Sequence, residues 1–525
     1  MPKILIADEL SPRAVAVFAE RGVYADVATG LKPDELAARI GEYDGLAVRS
    51  ATKVTPALIE AATSLRVIGR AGIGVDNIDV PAATQRGIVV MNTPYGNAIT
   101  AAEHAIAMMF ALARQIPAAD RSTQAGKWEK SRFMGVELSG KTLGIIGCGN
   151  IGAIVADRAQ GLKMRVIGYD PFLSAERAVD LGIERVGLDE LLARADFITL
   201  HTPMTDATRG MLDATALKKL KPGARLINCA RGGLIVEADL AEALDRGQVA
   251  GAAIDVFVDE PAMENPLFGR DNVVATPHLG AATAEAQENV AVQIAEQMAD
   301  FLLTGAVSNA VNMPALSAED AVRLRPYMKL AEQLGSFAGQ LTESRLKSVE
   351  IKYEGAIAEL NVKPLTATAL TGLLAPQLAA VNLVNAPVLC RERGIKVSET
   401  LQPEPGDYQM LMRITVNGEG GKRSIAGTVF AGDKPRLVAV DGMPLEAELG
   451  EHVLFVRNLD KPGFIGALGN ALGAASINIA SFHLGRTAAG QDAICLVEVD
   501  QPLTPALLDT VHALPHVVQV KSMKF

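Results

Sequence analysis

The stretch Leu143–Asp170, LGIIGCGNIGAIVADRAQGLKMRVIGYD, decides how the rest of this chain is read. It opens on a short apolar run, Leu143–Ile146, bounded by glycine and too short for a helix, as a buried parallel strand is. Gly147, Gly149 and Gly152 follow in the spacing G-x-G-x-x-G, then a helical segment with Ala153, Val155, Ala156 and Ala159, then a second strand, Met164–Tyr169. Gly147 permits the tight turn, Gly149 lets backbone approach a pyrophosphate, and Gly152 lets helix pack closely on strand, while the first amides of the helix face the phosphates. Asp170 stands 18 residues after Gly152, where a carboxylate accepts hydrogen bonds from the adenosine ribose hydroxyls. A lone glycine fingerprint is weak; strand before, helix after and acid beyond supply the context it needs. A carboxylate repels a 2′-phosphate, and Pro171 and Phe172 add no cation, so the pattern favours NAD over NADP.

Outward from this unit, 525 residues make room for three or four domains. With 49% apolar and 21% charged residues the composition is that of an ordinary globular protein. The formal net charge of −10 disfavours nucleic acid and anionic membranes as partners, while a local arginine cluster can still bind a small anion. MPKILIADEL enters a strand pattern directly and shows no secretory layout. Cys148, Cys229, Cys390 and Cys495 are scattered, which argues for a reducing, cytoplasmic compartment and against a disulfide framework or a metal site. Leu365–Cys390 carries no charge and is long enough for a membrane span, but Pro376, Pro387, Gln377, Asn382 and Asn385 make a buried core helix the expectation, with no membrane.

Residues 3–97 read as an α/β unit of their own, with strands Ile4–Ala7, Leu46–Val48, Val67–Ile68 and Ile88–Met91 between helices such as Arg13–Glu20 and Pro33–Ile40. Ligands gather at the carboxyl ends of such strands, which here carry Arg49-Ser50, Arg70-Ala71-Gly72-Ile73-Gly74-Val75-Asp76 and Asn92-Thr93-Pro94. Arg49 and Arg70 are either ordinary surface arginines or an anion site, and their adjacency at two strand ends favours the second. Helix Thr100–Arg114 places Met108, Met109 and Phe110 in a core and His104 in a structural role. A polar loop with Lys127, Lys130 and Arg132 around Trp128 precedes the dinucleotide unit. Strands at Phe197–Leu200, Arg225–Asn228, Ala252–Val256 and Val273–Ala275 then complete a doubly wound parallel sheet. Ala284–Leu303 returns to the first unit, 304–315 is a linker, 316–450 mixes helices and strands, and 452–525 runs βαββαβ, the ferredoxin-like order.

Three strand ends of the dinucleotide unit carry the chemistry: Asn228-Cys229-Ala230-Arg231-Gly232-Gly233, Asp255-Val256-Phe257 with Asp259-Glu260-Pro261, and Thr276-Pro277-His278-Leu279-Gly280. Oxidising an alcohol by hydride transfer needs a group to take the hydroxyl proton, and histidine suits this near neutral pH. His278 is the candidate, Glu260 the carboxylate that orients it, and Arg231 the fork that holds a substrate carboxylate and polarises the adjacent oxygen. Alone, His278 is as readily a structural histidine. Three such groups at successive strand ends beside a dinucleotide loop favour catalysis.

GCGNIG, NCARGGLI, DVFVDEP and TPHLGAAT resemble the signatures of the D-isomer-specific 2-hydroxyacid dehydrogenases. RAGIGVDNID, the WEKSRFMG loop, a VNAP-containing third unit and an ACT-like C-terminal domain are similar to the long form of that family. The resemblance implies a Rossmann-type doubly wound dinucleotide domain, 98–283, inserted in a flavodoxin-like substrate domain, 1–97 and 284–312. An α+β intervening domain, 313–450, and a ferredoxin-like (ACT) regulatory domain, 452–525, follow. It implies NAD-dependent oxidation of 3-phospho-D-glycerate to 3-phosphohydroxypyruvate, the first committed step of serine synthesis, by a homotetramer.

Carried over position by position, the resemblance makes Arg231, Glu260 and His278 the catalytic set. Asn150, Ile151, Asp170, Thr202, Cys229, Arg231, Asp255, His278 and Gly280 join Gly147, Gly149 and Gly152 as cofactor contacts. Arg49, Ser50, Arg70, Gly72, Gly74 and Asn97 become substrate contacts, with Lys130 or Arg132 as a further cation on the phosphate. Asn458, Asp460 and Asn478 stand where family members bind L-serine between paired regulatory domains; a domain that only dimerises is the alternative. The rival readings are a glyoxylate or hydroxypyruvate reductase and a nucleotide-sensing corepressor. The long tail argues against the first, and the lack of an obvious disordered extension against the second.

Overall fold

The computed structural model describes residues 1–525, apart from the side chain at position 318. The N-terminal sheet is parallel, in the order Tyr24–Val27, Lys3–Ile6, Gly45–Val48, Val67–Arg70, Val89–Met91. Strands of three or four mostly apolar residues cannot stand alone, and four of the five are buried on both faces by helices. Those helices begin where the sequence punctuates them: Ser11, Thr55 and Asp79 accept hydrogen bonds from the amides of Arg13, Leu58 and Ala82, each just ahead of a proline in the first turn. Tyr24–Val27 escapes sequence reading because it is a half-exposed edge with no apolar run. Helix Ala284–Thr304, capped by Thr283, returns to this sheet and packs on helix Pro12–Glu20. Its Ile294 and Met298 occupy the space that a side chain on Gly69 would need.

The second sheet has seven parallel strands in the order Val273–Ala275, Val249–Ile254, Ala224–Asn228, Phe197–Leu200, Thr142–Ile146, Arg165–Tyr169, Glu184–Arg185. The strand order reverses beside Thr142–Ile146, so the glycine loop that follows this strand opens at the switch point of the sheet. The third sheet is mixed, in the order Lys396–Gln402, Leu346–Gly355, Met410–Gly418, Gly421–Phe430, Lys434–Val440, Met443–Ala447, and helices Ala318–Leu341 and Lys363–Leu374 pack tightly against each other over it. The last sheet runs Ile479–Arg486, Asp492–Val499, His452–Leu459, Val517–Lys524, with helices Phe464–Ala474 and Pro505–His512, the ferredoxin-like topology.

Two expectations need correction. Leu365–Cys390 is not one buried helix: helix Lys363–Leu374 ends, turns follow, and a second helix spans Ala386–Glu392. Pro376 and Pro387 cannot donate within a helix, and Asn382 and Asn385 bond turn backbone with their side-chain amides instead. The linker is not free either. Ala310 bridges to Met91, and Val311 donates to the Val90 carbonyl at 2.8 Å, so part of the linker lies antiparallel along the sheet edge. Among the described residues no helix is long and apolar enough to cross a membrane.

Candidate active site

The glycine loop is built by close approach. Gly147 has φ +94°, a left-handed conformation, and a side chain there would meet the His201 carbonyl and Thr202. A side chain on Gly152 would collide with the Gly147 carbonyl, so helix Asn150–Gly161 rests directly on the strand end. That helix starts from Gly149 with no side-chain cap, which leaves its first amides available to an anion. Ile151 is half-buried against the core under the loop, and the Asn150 side chain donates from Nδ2 to the Pro94 carbonyl of the other unit at 3.5 Å. Asp170 braces the loop by accepting from the Cys148 amide at 2.9 Å, and from Phe172 at 2.8 Å, and it lines an open cavity of about 450 Å³ with Tyr169, Arg185 and Val186. Beside the loop the Thr202 hydroxyl is buried with no hydrogen-bond partner. An orphaned donor, uncapped amides and a floor without side chains together fit a dinucleotide.

Asp255, fully buried, organises the next two strand ends. Its Oδ1 accepts from the Thr276 hydroxyl at 2.6 Å and the Leu279 amide at 2.7 Å, and its Oδ2 from the Gly280 amide at 2.9 Å. His104 Nε2 lies 3.2 Å away. Burial pushes the Asp255 carboxyl up, but these donors more than offset it and hold the carboxyl below its usual value. Burial, helped by the Asp255 charge, drives the Cys229 thiol well above its ordinary range, so it stays a thiol. His104, Cys229 and Asp255 put ligand-type atoms within 4.8 Å of one another, yet the Asp255 oxygens are already filled by the donors that fold this loop.

The loop Asp255 holds presents His278 at φ +56°, strained for a non-glycine residue. Its Nδ1 lies 2.7 Å from Glu260 Oε2, while Glu260 Oε1 accepts from the Phe257 amide at 3.0 Å. Half-burial raises the Glu260 carboxyl, and the His278 and Phe257 hydrogen bonds outweigh it, leaving a carboxylate below its usual range. With Nδ1 engaged, the free ring nitrogen of His278 is Nε2, on a side chain 48% exposed.

Arg231 follows a turn held by Asn228, whose side chain donates to the Arg231 carbonyl and accepts from the Ala230 amide. The guanidinium crosses to the first unit. Its Nε donates to Asp76 Oδ2 at 2.7 Å, and Nη2 fills the space above Gly74. Arg70 folds over Gly72 in the same way, so the two glycines form a floor beneath two cations. Arg70 is largely buried, its Nε has no partner, and it makes no ion pair among the described residues. Burial first, and the nearby Arg231 charge second, push its pKa down to about 10. Arg49 adds a third positive charge there, its own amide anchored by Asp8 at 2.6 Å, with Ser50 exposed beside it. Thr93 Oγ1 and Asn97 Oδ1 are buried nearby on the chain and also unpartnered.

Two groups of expected residues are not assembled. Arg132 pairs with Glu129 and, at 2.8 Å, with Asp271, which precedes strand Val273–Ala275. Arg132 is thereby anchored at the amino edge of the sheet, opposite the edge bearing His278, and Lys130 is exposed on the same loop. Asn458 is buried near Asp460, which holds Arg486 and the Gly490 amide, whereas Asn478 bonds Asp500 at the far end of the antiparallel sheet. Sequence reading named Asp76 and Thr93 only as members of strand-end loops, without a role, and passed over Asp8. Each stands at a carboxyl end of a strand in the first unit, the one signal that marks them.

Residues 106–280 match the D-isomer specific 2-hydroxyacid dehydrogenase NAD binding domain, 323–441 the D-3-phosphoglycerate dehydrogenase intervening domain, and 452–516 the ACT domain. The chain is 45% identical over 513 residues to the D-3-phosphoglycerate dehydrogenase of Synechocystis sp., covering 97% of this chain and 92% of that one. It is 42% identical over 520 residues to that of Archaeoglobus fulgidus, covering 98% of each. Among solved structures, the TT0316 protein from Thermus thermophilus aligns with a TM-score of 0.55 at 34% identity, over 59% of this chain and 99% of that one.

Proposed function

The chain belongs to the D-isomer-specific 2-hydroxyacid dehydrogenases, in the long form typified by D-3-phosphoglycerate dehydrogenase, and from that premise we propose how its crevice works. It is an NAD-dependent dehydrogenase that oxidises 3-phospho-D-glycerate to 3-phosphohydroxypyruvate, which places it in serine biosynthesis. Gly147, Gly149, Asn150, Ile151, Gly152, Asp170, Thr202, Cys229, Asp255 and Gly280 hold NAD, which when bound supplies the hydride acceptor. Arg231 forks onto the substrate carboxylate and polarises the oxygen on the carbon that is oxidised. His278 Nε2 takes the hydroxyl proton, and Glu260 fixes its tautomer and stabilises the imidazolium that forms. Arg70, with Arg49, Ser50, Gly72, Gly74 and Asn97, receives the anionic groups of the substrate.

One observation carries this reading: a largely buried guanidinium, Arg70, that among the described residues makes no ion pair of its own and whose Nε has no partner, beside a second guanidinium, within the crevice that holds the histidine–glutamate pair. A cation left so in a folded protein is costly unless an anion joins it. We further infer a cytoplasmic homotetramer whose ACT domains bind L-serine between chains, a reading supported by the placement of Asn458 and Asn478 at opposite ends of the sheet within one chain. Buried Asn458 Oδ1, which has no partner, supports this. The test is NADH absorbance with 3-phosphoglycerate, glyoxylate and hydroxypyruvate, with and without millimolar L-serine, alongside light scattering. Selective turnover of the phosphorylated acid supports the substrate assignment; equal turnover of glyoxylate sinks it.

A further inference from the structure

The edge of the N-terminal sheet is closed by the chain's own linker. Strand Val89–Met91 is terminal in that sheet, and an edge strand ordinarily leaves its backbone groups to solvent. Here Val311 donates to the Val90 carbonyl at 2.8 Å and Asn92 donates to the Asn309 carbonyl at 3.2 Å. Asn312 continues the ladder with its side chain, accepting from the Val90 amide at 2.9 Å and donating to the Ile88 carbonyl at 2.8 Å, as a peptide group would. The third unit grips the preceding turn: Asn382 donates to the Gly87 carbonyl at 2.8 Å and Asn385 to the Gln85 carbonyl at 3.2 Å. This strand therefore takes its position from the linker and the intervening unit as well as from its own sheet.

At the strand's carboxyl end the same position is handed to the substrate floor. The Asn92 side chain donates to the Ile73 carbonyl at 2.5 Å, and the Thr93 amide donates to the Gly72 carbonyl at 3.0 Å. Ile73 lies between the two glycines under Arg70 and Arg231, and Asp76 of the same loop holds Arg231. We propose that Asn92 is a positioning residue, tying the interdomain linker to the Gly72–Asp76 loop so that the seating of the intervening unit sets where Arg231 and Arg70 meet the substrate. This rests on the substrate assignment above. Asn92 touches neither reacting group; it acts through the loop.

The full-length Asn92→Ala protein should show a KM for 3-phosphoglycerate raised by about tenfold, because the carboxylate clamp is misplaced, kcat lowered by a few fold, because Arg231 also polarises the reacting oxygen, and KM for NAD unchanged. Asn92→Asp keeps the shape but loses the donor, so it should behave like alanine; wild-type kinetics in Asn92→Asp would overturn the role. Asn312→Ala, which loosens the linker from the edge strand and leaves the Asn92 side chain in place, should raise the same KM by about threefold. Hydrogen exchange separates this from the substrate assignment. Amides 72–76 should exchange faster in Asn92→Ala and Asn312→Ala while strand Thr142–Ile146 stays protected. Unchanged exchange at 72–76 overturns the inference whatever the substrate, whereas a wild-type protein inactive on 3-phosphoglycerate sinks only the substrate assignment.

Discussion

On the dinucleotide side of the crevice the carboxylates are filled: Asp255 accepts from Thr276, Leu279 and Gly280, and Glu260 from His278 and Phe257. On the substrate side Arg70 Nε, Thr93 Oγ1 and Asn97 Oδ1 are buried with nothing to bond. One wall has its carboxylates bonded so as to fix a strained histidine, and leaves open only the Thr202 hydroxyl and the first helix amides. The other stores unsatisfied polarity that only a ligand can relieve. A proton carrier must be aimed before substrate arrives, whereas an anion site gains specificity by being uncomfortable when empty. Mutations on the two walls should therefore fail differently.

The largest effect belongs to the filled wall. His278→Asn removes the proton carrier yet keeps a side chain that tolerates left-handed backbone. With the histidine half-exposed, thermal stability should hold while kcat falls by about 10³-fold. Retention of most turnover would reassign the general base. On the unsatisfied wall, Arg70→Met should raise KM for 3-phosphoglycerate by about 100-fold, and the melting temperature should not drop, because a buried unpaired charge gives way to an apolar chain of similar length. A protein that lost stability instead would show that the burial of Arg70 is already offset within the fold.

How much of this was legible differs between the walls for the same reason. The dinucleotide wall is written in local pattern: glycine spacing, an acid after the second strand, and Arg231, Glu260 and His278 each just past a strand. The 2.7 Å contact of Glu260 with His278 follows from parallel strands ending at one edge. The substrate wall depends on crossing between units. Arg231 leaning over Gly74 onto Asp76, or a linker pairing with Val90, leaves no periodicity in either segment. Lys130 and Arg132 came from the family resemblance alone, and their position depends equally on tertiary contact: Asp271 ties Arg132 to the other sheet edge. Of the long uncharged run Leu365–Cys390 the burial of its first helix was legible, but not the mostly exposed turn at 375–380 that splits it, where prolines stop the helix and asparagine side chains satisfy the backbone.

The filled wall extends to His201, whose carbonyl packs on Gly147 and whose Nε2 lies 3.0 Å from the Thr199 hydroxyl. Burial pushes its pKa down to about 4. Unfolded, the imidazole takes up its proton from about pH 6.5 downward; folded, it does so only near 4, so the unfolded state binds more protons in that window. Stability attributable to His201 is complete above pH 6.5 and is lost as pH falls toward 4, with on the order of 2 kcal/mol gone by about pH 5. Urea midpoints near pH 7 and pH 5 should converge in His201→Gln relative to wild type. An equal drop in both would show that the ring is not held neutral.

The smallest expected effect is the sharpest test of the comparison. A side chain on Gly74 would collide with Arg231 Nη2 and stand 2.7 Å from Asp76 Oδ2, and both of those atoms are the ends of flexible side chains. Gly74→Ala therefore costs the fold little, since the arginine can swing aside, but Arg231 leaves the position that Gly74 opens for it. KM for 3-phosphoglycerate should rise by about tenfold, with melting temperature and KM for NAD unchanged. The same methyl on the other wall behaves oppositely: on Gly152 it would collide with the Gly147 carbonyl, backbone that cannot yield, so Gly152→Ala should lower stability and NAD affinity together. If Gly74→Ala also lost stability, the substrate wall would be as rigid as the dinucleotide wall, and the division of labour between them would fail.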